Sequence, residues 1–278
     1  MFKPENPAPP PGPLSMGQHV KAGLKFSLLL IWLLIWIGPF LLLEALKIRA
    51  STWIVQFWHK GARKISGIRV IQHGELSKGE PLLLLSNHTS YLDIPVLNSL
   101  ARVNFVAKSE VKGWPGIGFL AKWCQTIFVE RRAIKSREQI QHLRDCILPD
   151  KRLVLFGEGT STDGSVILPF KSSLMEFVFD EEIAAKCRVQ AVTVIAVEEE
   201  KGEKGYLPER VIYPWFDDTP LVAHFWRFFA GSGADVHVCF HPDRAVSEFT
   251  NRKELTQWAH AYVDAGHEWL VGEGEFKP

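Results

Sequence analysis

Residues 26–43, FSLLLIWLLIWIGPFLLL, run for eighteen positions without a charged side chain. As a helix this run is about 27 Å long, close to the ~30 Å hydrocarbon thickness of a bilayer. A stretch so rich in Leu, Ile and Trp does not fit the buried helix of a soluble core. Its length, and the lack of a small-x-small site before charge resumes, argue against a cleaved leader. Gly38-Pro39 lies inside the run, and Pro39 is expected to kink or break the helix because it removes a backbone hydrogen bond. Lys21 and Lys25 precede the run, and Lys47, Arg49, Lys60, Arg63 and Lys64 follow it, so both flanks are positive. The next segment, STWIVQFWHKGARK (51–64), sets Trp53, Val55, Phe57 and Trp58 among basic residues, as in an interfacial helix. One membrane span satisfies these features, and so does a kinked helical pair that enters one leaflet with both ends cytoplasmic. The second is the expectation carried forward.

The chain divides into a Pro-rich tail (1–20), a membrane-anchoring helix or kinked helical pair (21–65) and a soluble domain (66–278). Residues 6–74 hold eight Lys/Arg against Glu44 alone, whereas residues 75–278 hold 23 Lys/Arg against 29 Asp/Glu. A basic front of +7 suits an anionic membrane surface, and an acidic body of −6 makes nucleic acid a poor partner. Cys124, Cys146, Cys187 and Cys239 are scattered without a Cys-x-x-Cys pair, a pattern of reduced thiols.

From Ile68 the pattern becomes α/β. Apolar or β-branched runs at 68–72, 82–86, 103–108, 126–130, 152–156, 189–197 and 235–240 predict strands. Helical patterns at 133–148, 172–186 and 253–271 lie between or after them. Strands alternating with helices imply a single, mostly parallel sheet flanked by helices.

Three strand ends carry chemistry. Asn87-His88-Thr89-Ser90-Tyr91-Leu92-Asp93 follows the run LLLLS, at the place where an α/β fold exposes functional groups. Asp93 is expected to cap the helix beginning IPVLNSL. If the loop brings His88 to Asp93, the carboxylate orients the imidazole, and the free ring nitrogen can take a proton from a hydroxyl. The spacing alone fits a surface His beside a capping Asp better. Thr126–Arg132 runs from apolar residues into charge and places Arg131 where it can grip phosphate or carboxylate. The glycines of Phe156–Gly164 allow close backbone approach to a ligand, and the loop's amides can face an oxyanion. This loop is not a P-loop, because Ser165 stands where Lys is required.

In this order the three stretches resemble the glycerolipid acyltransferases, a family that includes the 1-acylglycerol-3-phosphate (lysophosphatidate) acyltransferases. Asn87, His88 and Asp93 match its Asn-His-x4-Asp motif. Phe128, Val129, Glu130 and Arg131 match Phe-Ile-Asp/Glu-Arg, and Phe156, Glu158, Gly159 and Thr160 match Phe-Pro-Glu-Gly-Thr-Arg-Ser. Lys108 and Lys171 look like the lysines that the family carries after its first and third motifs. Gly157 replaces the usual Pro, Ser161 the usual Arg, and QAVTVIA (190–196) lacks the fourth motif's Pro, with Thr193 nearby. The pattern FGEGTSTDG…LPFKSS looks more like the branch that acylates lyso-ornithine lipid.

The resemblance implies a membrane-bound O-acyltransferase on the cytoplasmic side of a bacterial inner membrane. Its donor would be acyl-CoA or acyl carrier protein. Its acceptor would be a lysolipid, either 1-acylglycerol-3-phosphate (giving phosphatidic acid) or lyso-ornithine lipid. No metal and no cofactor are implied. His88 would be the general base and Asp93 its orienting partner, with amides of Gly157, Glu158, Gly159 and Thr160 at the oxyanion. Lys108 and Arg131 would meet the acceptor head group or the donor's phosphates. The competing classes are a non-catalytic membrane lipid-binding protein and a hydrolase. His237, Cys239 and His241 alternate along one strand, but three ligands on one strand fall short of a zinc site.

Overall fold

The computed structural model describes residues 12–48, 51–114, 117–130, 137–148, 151–200, 203–205 and 212–272. The strands are β1 (Ile68–His73), β2 (Leu82–Ser86), β3 (Asn104–Lys108), β4 (Ile127–Val129), β5 (Arg152–Phe156), β6 (Arg188–Glu200), β7 (Glu203–Gly205) and β8 (Ala234–Ala245). The helices are α1 (Met16–Ala45), α2 (Ser51–Ser66), α3 (Asp93–Leu100), α4 (Ile117–Trp123), α5 (Arg137–Ile147), α6 (Glu181–Lys186), α7 (Leu221–Ala230) and α8 (Arg252–Leu270). The sheet order is β1-β8-β6-β2-β5-β3-β4, with β7 on β6. From β6 to β4 all neighbours are parallel, whereas β1 and β8 run together against β6.

Every predicted strand is present. The all-apolar β2 lies in the middle of the sheet, and both of its faces are covered, as parallel strands require. Leu82 and Leu84 point into a core with Val96 and Leu97 of α3 and Phe228 of α7. Leu83 and Leu85 point the other way, towards Leu255, Ala259 and Val263 of α8. β7 was not expected: its residues are Glu-Lys-Gly, and it pairs antiparallel with the Glu198–Glu200 end of β6. The helical pattern at 172–186 resolves into a 3-10 segment, Ser172–Phe179, and α6, which Asp180 caps through Glu182 N–H.

The front departs from expectation in two ways. α1 starts at Met16, inside the stretch read as tail. Ser15 and Gln18 form a reciprocal cap there: Gln18 N–H donates to Ser15 Oγ at 3.3 Å, and Ser15 N–H donates to Gln18 Oε1 at 2.8 Å. α1 also continues through Pro39 without ending. The residue after the proline, Phe40, is buried against Trp123 with ring centroids 5.3 Å apart, and this packing holds the helix across the missing hydrogen bond. The chain turns instead after Ala45, where Lys47 takes a left-handed conformation (φ 53°).

Among the residues of α1 only Ala22 and Phe40 are buried, and Leu34 and Ile35 are 62% and 55% exposed. α2 is two-faced. Val55, Trp58 and Ala62 pack inward with Phe40 and Trp123, while Trp53 and Phe57 face outward. Both ends of α1 rest on the α/β body. Lys25 Nζ donates to Gly231 O at 3.1 Å, and Phe26 meets Phe225 of α7 edge-on. At the other end, Gln125 donates to Glu44 at 3.2 Å.

Candidate active site

The loops after β2 and β5 leave adjacent parallel strands at the same end, with Ser86 in register with Phe156. From β2 the chain passes by α3 to β3 on one side, and from β5 it crosses to β6 on the other, so this is the switch point where α/β sheets open a crevice. Asn87 anchors the first loop: its side chain donates to Val194 O at 2.7 Å and accepts from Val194 N–H at 2.8 Å.

His88 Nδ1 lies 2.8 Å from Asp93 Oδ2, and the imidazole stacks on the Phe156 ring at 3.9 Å and 16°. Asp93 is wholly buried, whereas the His88 side chain keeps 21% of its surface exposed. His88 Nε2 has no hydrogen bond among the described residues. Asp93 does not cap α3. It is the first residue of that helix, and its carboxylate turns back into the loop, accepting from Thr89 N–H (2.9 Å), Ser90 N–H (3.0 Å) and Thr89 Oγ1 (3.3 Å). Tyr213 adds a fifth donor, its hydroxyl 2.8 Å from Oδ1. Sequence reasoning missed Tyr213. It lies 120 residues from Asp93 in an irregular segment, and no local signal marks it.

The loop after β5 is a strut as much as a ligand surface. Glu158 is buried and accepts from His88 N–H at 2.8 Å and Leu168 N–H at 3.1 Å, tying the two loops together. Burial pushes its carboxyl up to about 8, against the pull of those two N–H groups. Thr162 N–H donates to His88 O at 3.0 Å, Gly157 N–H to Ser86 O at 2.9 Å and Gly159 N–H to Phe156 O at 3.1 Å. Of the four amides expected at an oxyanion, those of Gly157 and Gly159 are therefore already committed within the fold. Gly157 also has no room for a side chain, since a Cβ there would sit 2.3 Å from the Phe170 ring. Phe170 fills the place that the family's proline would need. Gly159 adopts φ 66°, a left-handed turn suited to glycine. On α8, His267 Nε2 lies 2.8 Å from Gly164 O and steadies the far end of the loop.

Lys108 is exposed at the end of β3, and Lys171 is exposed where its N–H donates to Gly157 O at 2.8 Å. Ser161 and Thr160 are half-buried in the loop. Arg131 lies outside the described residues. Thr193 points away from the dyad, with its hydroxyl between His241 Nε2 (2.9 Å) and Val263 O (3.0 Å) of α8. The alternating His237, Cys239 and His241 are buried in the sheet, and His237 Nδ1 lies 2.9 Å from His73 Nε2. Among the described residues no group of three or more His, Cys, Asp or Glu is placed to hold a metal ion.

The Acyltransferase family model matches residues 67–196, which span both loops. A lyso-ornithine lipid O-acyltransferase of Brucella abortus is 36% identical over 205 residues, covering 72% of this chain and 76% of that protein. A 1-acyl-sn-glycerol-3-phosphate acyltransferase of Neisseria meningitidis is 28% identical over 160 residues, covering 57% of this chain and 58% of the relative. The crystal structure of the 1-acyl-sn-glycerophosphate acyltransferase PlsC from Thermotoga maritima has the same fold. It aligns at a TM-score of 0.66 and 19% identity over 94% of this chain and 98% of its own. With these matches, and the His88–Asp93 pair at the switch point of the sheet, the chain belongs to the acyltransferase family of the lysolipid and lysophosphatidate acyltransferases.

Proposed function

We propose that the protein moves a fatty acyl group from a thioester, acyl-CoA or acyl carrier protein, onto the free hydroxyl of lyso-ornithine lipid at a bacterial inner membrane. The observation that carries the chemistry is the orientation of His88. Nδ1 is engaged by a buried, fully hydrogen-bonded Asp93, and Nε2 is open. In this reading Nε2 takes the proton as the lysolipid hydroxyl oxygen attacks the thioester carbonyl. Asp93 stabilises the imidazolium that forms. The tetrahedral intermediate then collapses: the C–S bond breaks, the ester C–O bond remains, and the departing thiolate takes the proton from His88. The amides of Glu158 and Thr160, which make no hydrogen bond among the described residues, are the proposed donors to the oxyanion. Lys108, Lys171 and Arg131 are the proposed cations for the head group or the donor's phosphates.

Ser161 supports lyso-ornithine lipid as the acceptor. Where the family's Arg would offer a bidentate grip on phosphate, this chain offers a hydroxyl. The Brucella relative, whose own acceptor is lyso-ornithine lipid, points the same way. The packing of α1 supports its lying in one leaflet: both ends rest on the same α/β body, which a helix crossing to the far side could not do. The basic front supports a position of the dyad at the cytoplasmic surface.

The test is acyl transfer by detergent-solubilised protein from a labelled donor, with lyso-ornithine lipid and lysophosphatidate offered in parallel. Preference for lyso-ornithine lipid is expected. Preference for lysophosphatidate would mean that another cation replaces the missing Arg, and product without any acceptor would mean a hydrolase. His88→Ala should lower turnover at least about a hundredfold, as for a lost general base, while membrane binding persists. Unchanged turnover would overturn the mechanism.

A further inference from the structure

Asp93 is wholly buried, and a buried carboxylate keeps its charge only if donors surround it. Oδ2 carries three of them, namely His88 Nδ1, Thr89 N–H and Ser90 N–H. All three lie within the seven-residue loop. Oδ1 has the long contact from Thr89 Oγ1 and one short bond, the 2.8 Å bond from Tyr213. Tyr213 is itself fully buried, edge-on to Phe228 at 6.2 Å. Its segment is strapped to the dyad loop: Trp215 N–H donates to Thr89 O at 2.8 Å, and the Trp215 ring meets Tyr91 edge-on. Burial and the facing Asp93 hold the Tyr213 phenol well above its ordinary value, so it stays a donor.

We propose that Tyr213 is a positioning residue for acyl transfer: its hydroxyl holds the outer oxygen of Asp93 and through it sets the orientation and basicity of His88. The inference rests on His88 being the general base. Without the hydroxyl, Oδ1 keeps only its 3.3 Å contact and the carboxylate can rotate away from the imidazole. A carboxylate with one donor fewer is also more basic and stabilises the imidazolium more strongly. Among the described residues the other titratable groups facing this cluster are Glu158, which senses the Asp93 charge, Lys171 beyond Glu158, Tyr91 beside Tyr213, and His224 of α7, whose Nδ1 lies 3.2 Å from the Tyr91 hydroxyl.

Tyr213→Phe keeps the ring and its packing. It should lower kcat about tenfold, leave KM for donor and acceptor unchanged, and move the acid limb of the kcat/KM profile up by about half a pH unit. Its melting temperature should fall only by the few degrees that one lost buried hydrogen bond costs. In the His88→Ala background the same substitution should change the residual rate less than about twofold, because groups acting as a unit are not additive. Unchanged kcat and acid limb, with His88→Ala inactive, would overturn this inference alone. An equal tenfold loss in the His88→Ala background would do the same by showing a merely structural role. An active His88→Ala would instead overturn the mechanism beneath it. If the Phe variant fails to fold, 3-fluorotyrosine at 213, a stronger donor of the same shape, should move the acid limb down, and an unmoved limb would overturn the proposal.

Discussion

The dyad end of the sheet and the α1–α2 front are built by different physics. At the dyad, Asn87, Glu158 and Asp93 are buried polar groups whose positions are set by short, directional hydrogen bonds to backbone and side chains. At the front, Trp32, Trp36, Phe40, Trp58 and Trp123 form an aromatic cluster held mostly by non-directional contact, with one hydrogen bond from Trp32 Nε1 to Trp58 O. A hydrogen-bonded network loses its purpose when one partner moves, because the abandoned group stays buried and unsatisfied. An apolar cluster yields by degrees, in proportion to the volume removed. Precision therefore belongs to the dyad end, and tolerance to the front.

Restoring the family's proline should break the dyad end most severely. Gly157→Pro removes the N–H that bonds Ser86 O and drives a ring into Phe170. A cost of about 3–5 kcal/mol is expected from the lost buried bond and the overpacking together. Urea unfolding followed by circular dichroism measures it, and a variant as stable as the parent would show that the loop is less tightly bound than its hydrogen bonds imply.

A second effect separates the regions by pH. The Glu158 carboxyl is pushed up to about 8 in the folded protein, while an unfolded glutamate titrates near ~4.3. Between those values the folded chain holds the proton more tightly than the unfolded one. The contribution of Glu158 is therefore fully present below about pH 4.3 and is lost as pH rises through about 8. Stability should fall by an amount on the order of 5 kcal/mol across that window. Glu158→Gln should lower stability overall, since an amide cannot accept at both ends, yet flatten the slope. A slope unchanged by the substitution would assign the pH dependence elsewhere.

The smallest effects belong to the front, and they sharpen the contrast within a single helix. Phe40→Ala should cost about 3 kcal/mol through the cavity left beside Trp123, although α1 itself persists. Leu34→Ser, at a position 62% exposed, should cost less than about 0.5 kcal/mol in detergent and weaken flotation with liposomes. Equal effects of the two on stability would mean that the outer face of α1 packs against protein.

Much of this architecture is legible in local pattern. Apolar runs of strand length placed β2 and β5 to the residue, because strands buried on both faces need a continuous apolar run. The start of α1 was legible too, in the Ser15–Gln18 box, but the surrounding prolines masked it. Pro39 does not break α1 for a different reason: an intrinsic cost of a few kcal/mol is outweighed by packing that lies more than eighty residues away in the chain, at Trp123. Asp93 misled because two local uses compete for one carboxylate, and the loop amides with His88 offer it more donors than the helix end does.

Composition, hydrophobic period and motif order sufficed to identify an apolar, basic front, a mostly parallel sheet, and a histidine and an aspartate at one strand end. Each of these is written in patterns between near neighbours in the chain, even where, as in the sheet, the pairing itself is long-range. The strut role of Glu158, the Phe170 ring that excludes a proline, the Tyr213 hydroxyl on Asp93 and the seating of both ends of α1 on one body emerged only with the folded chain. Those contacts join residues from about ten to some two hundred positions apart, and no local periodicity encodes them. Burial made those of Glu158, Phe170 and Tyr213 matter most, because away from water a hydrogen bond or a filled volume has no solvent to replace it.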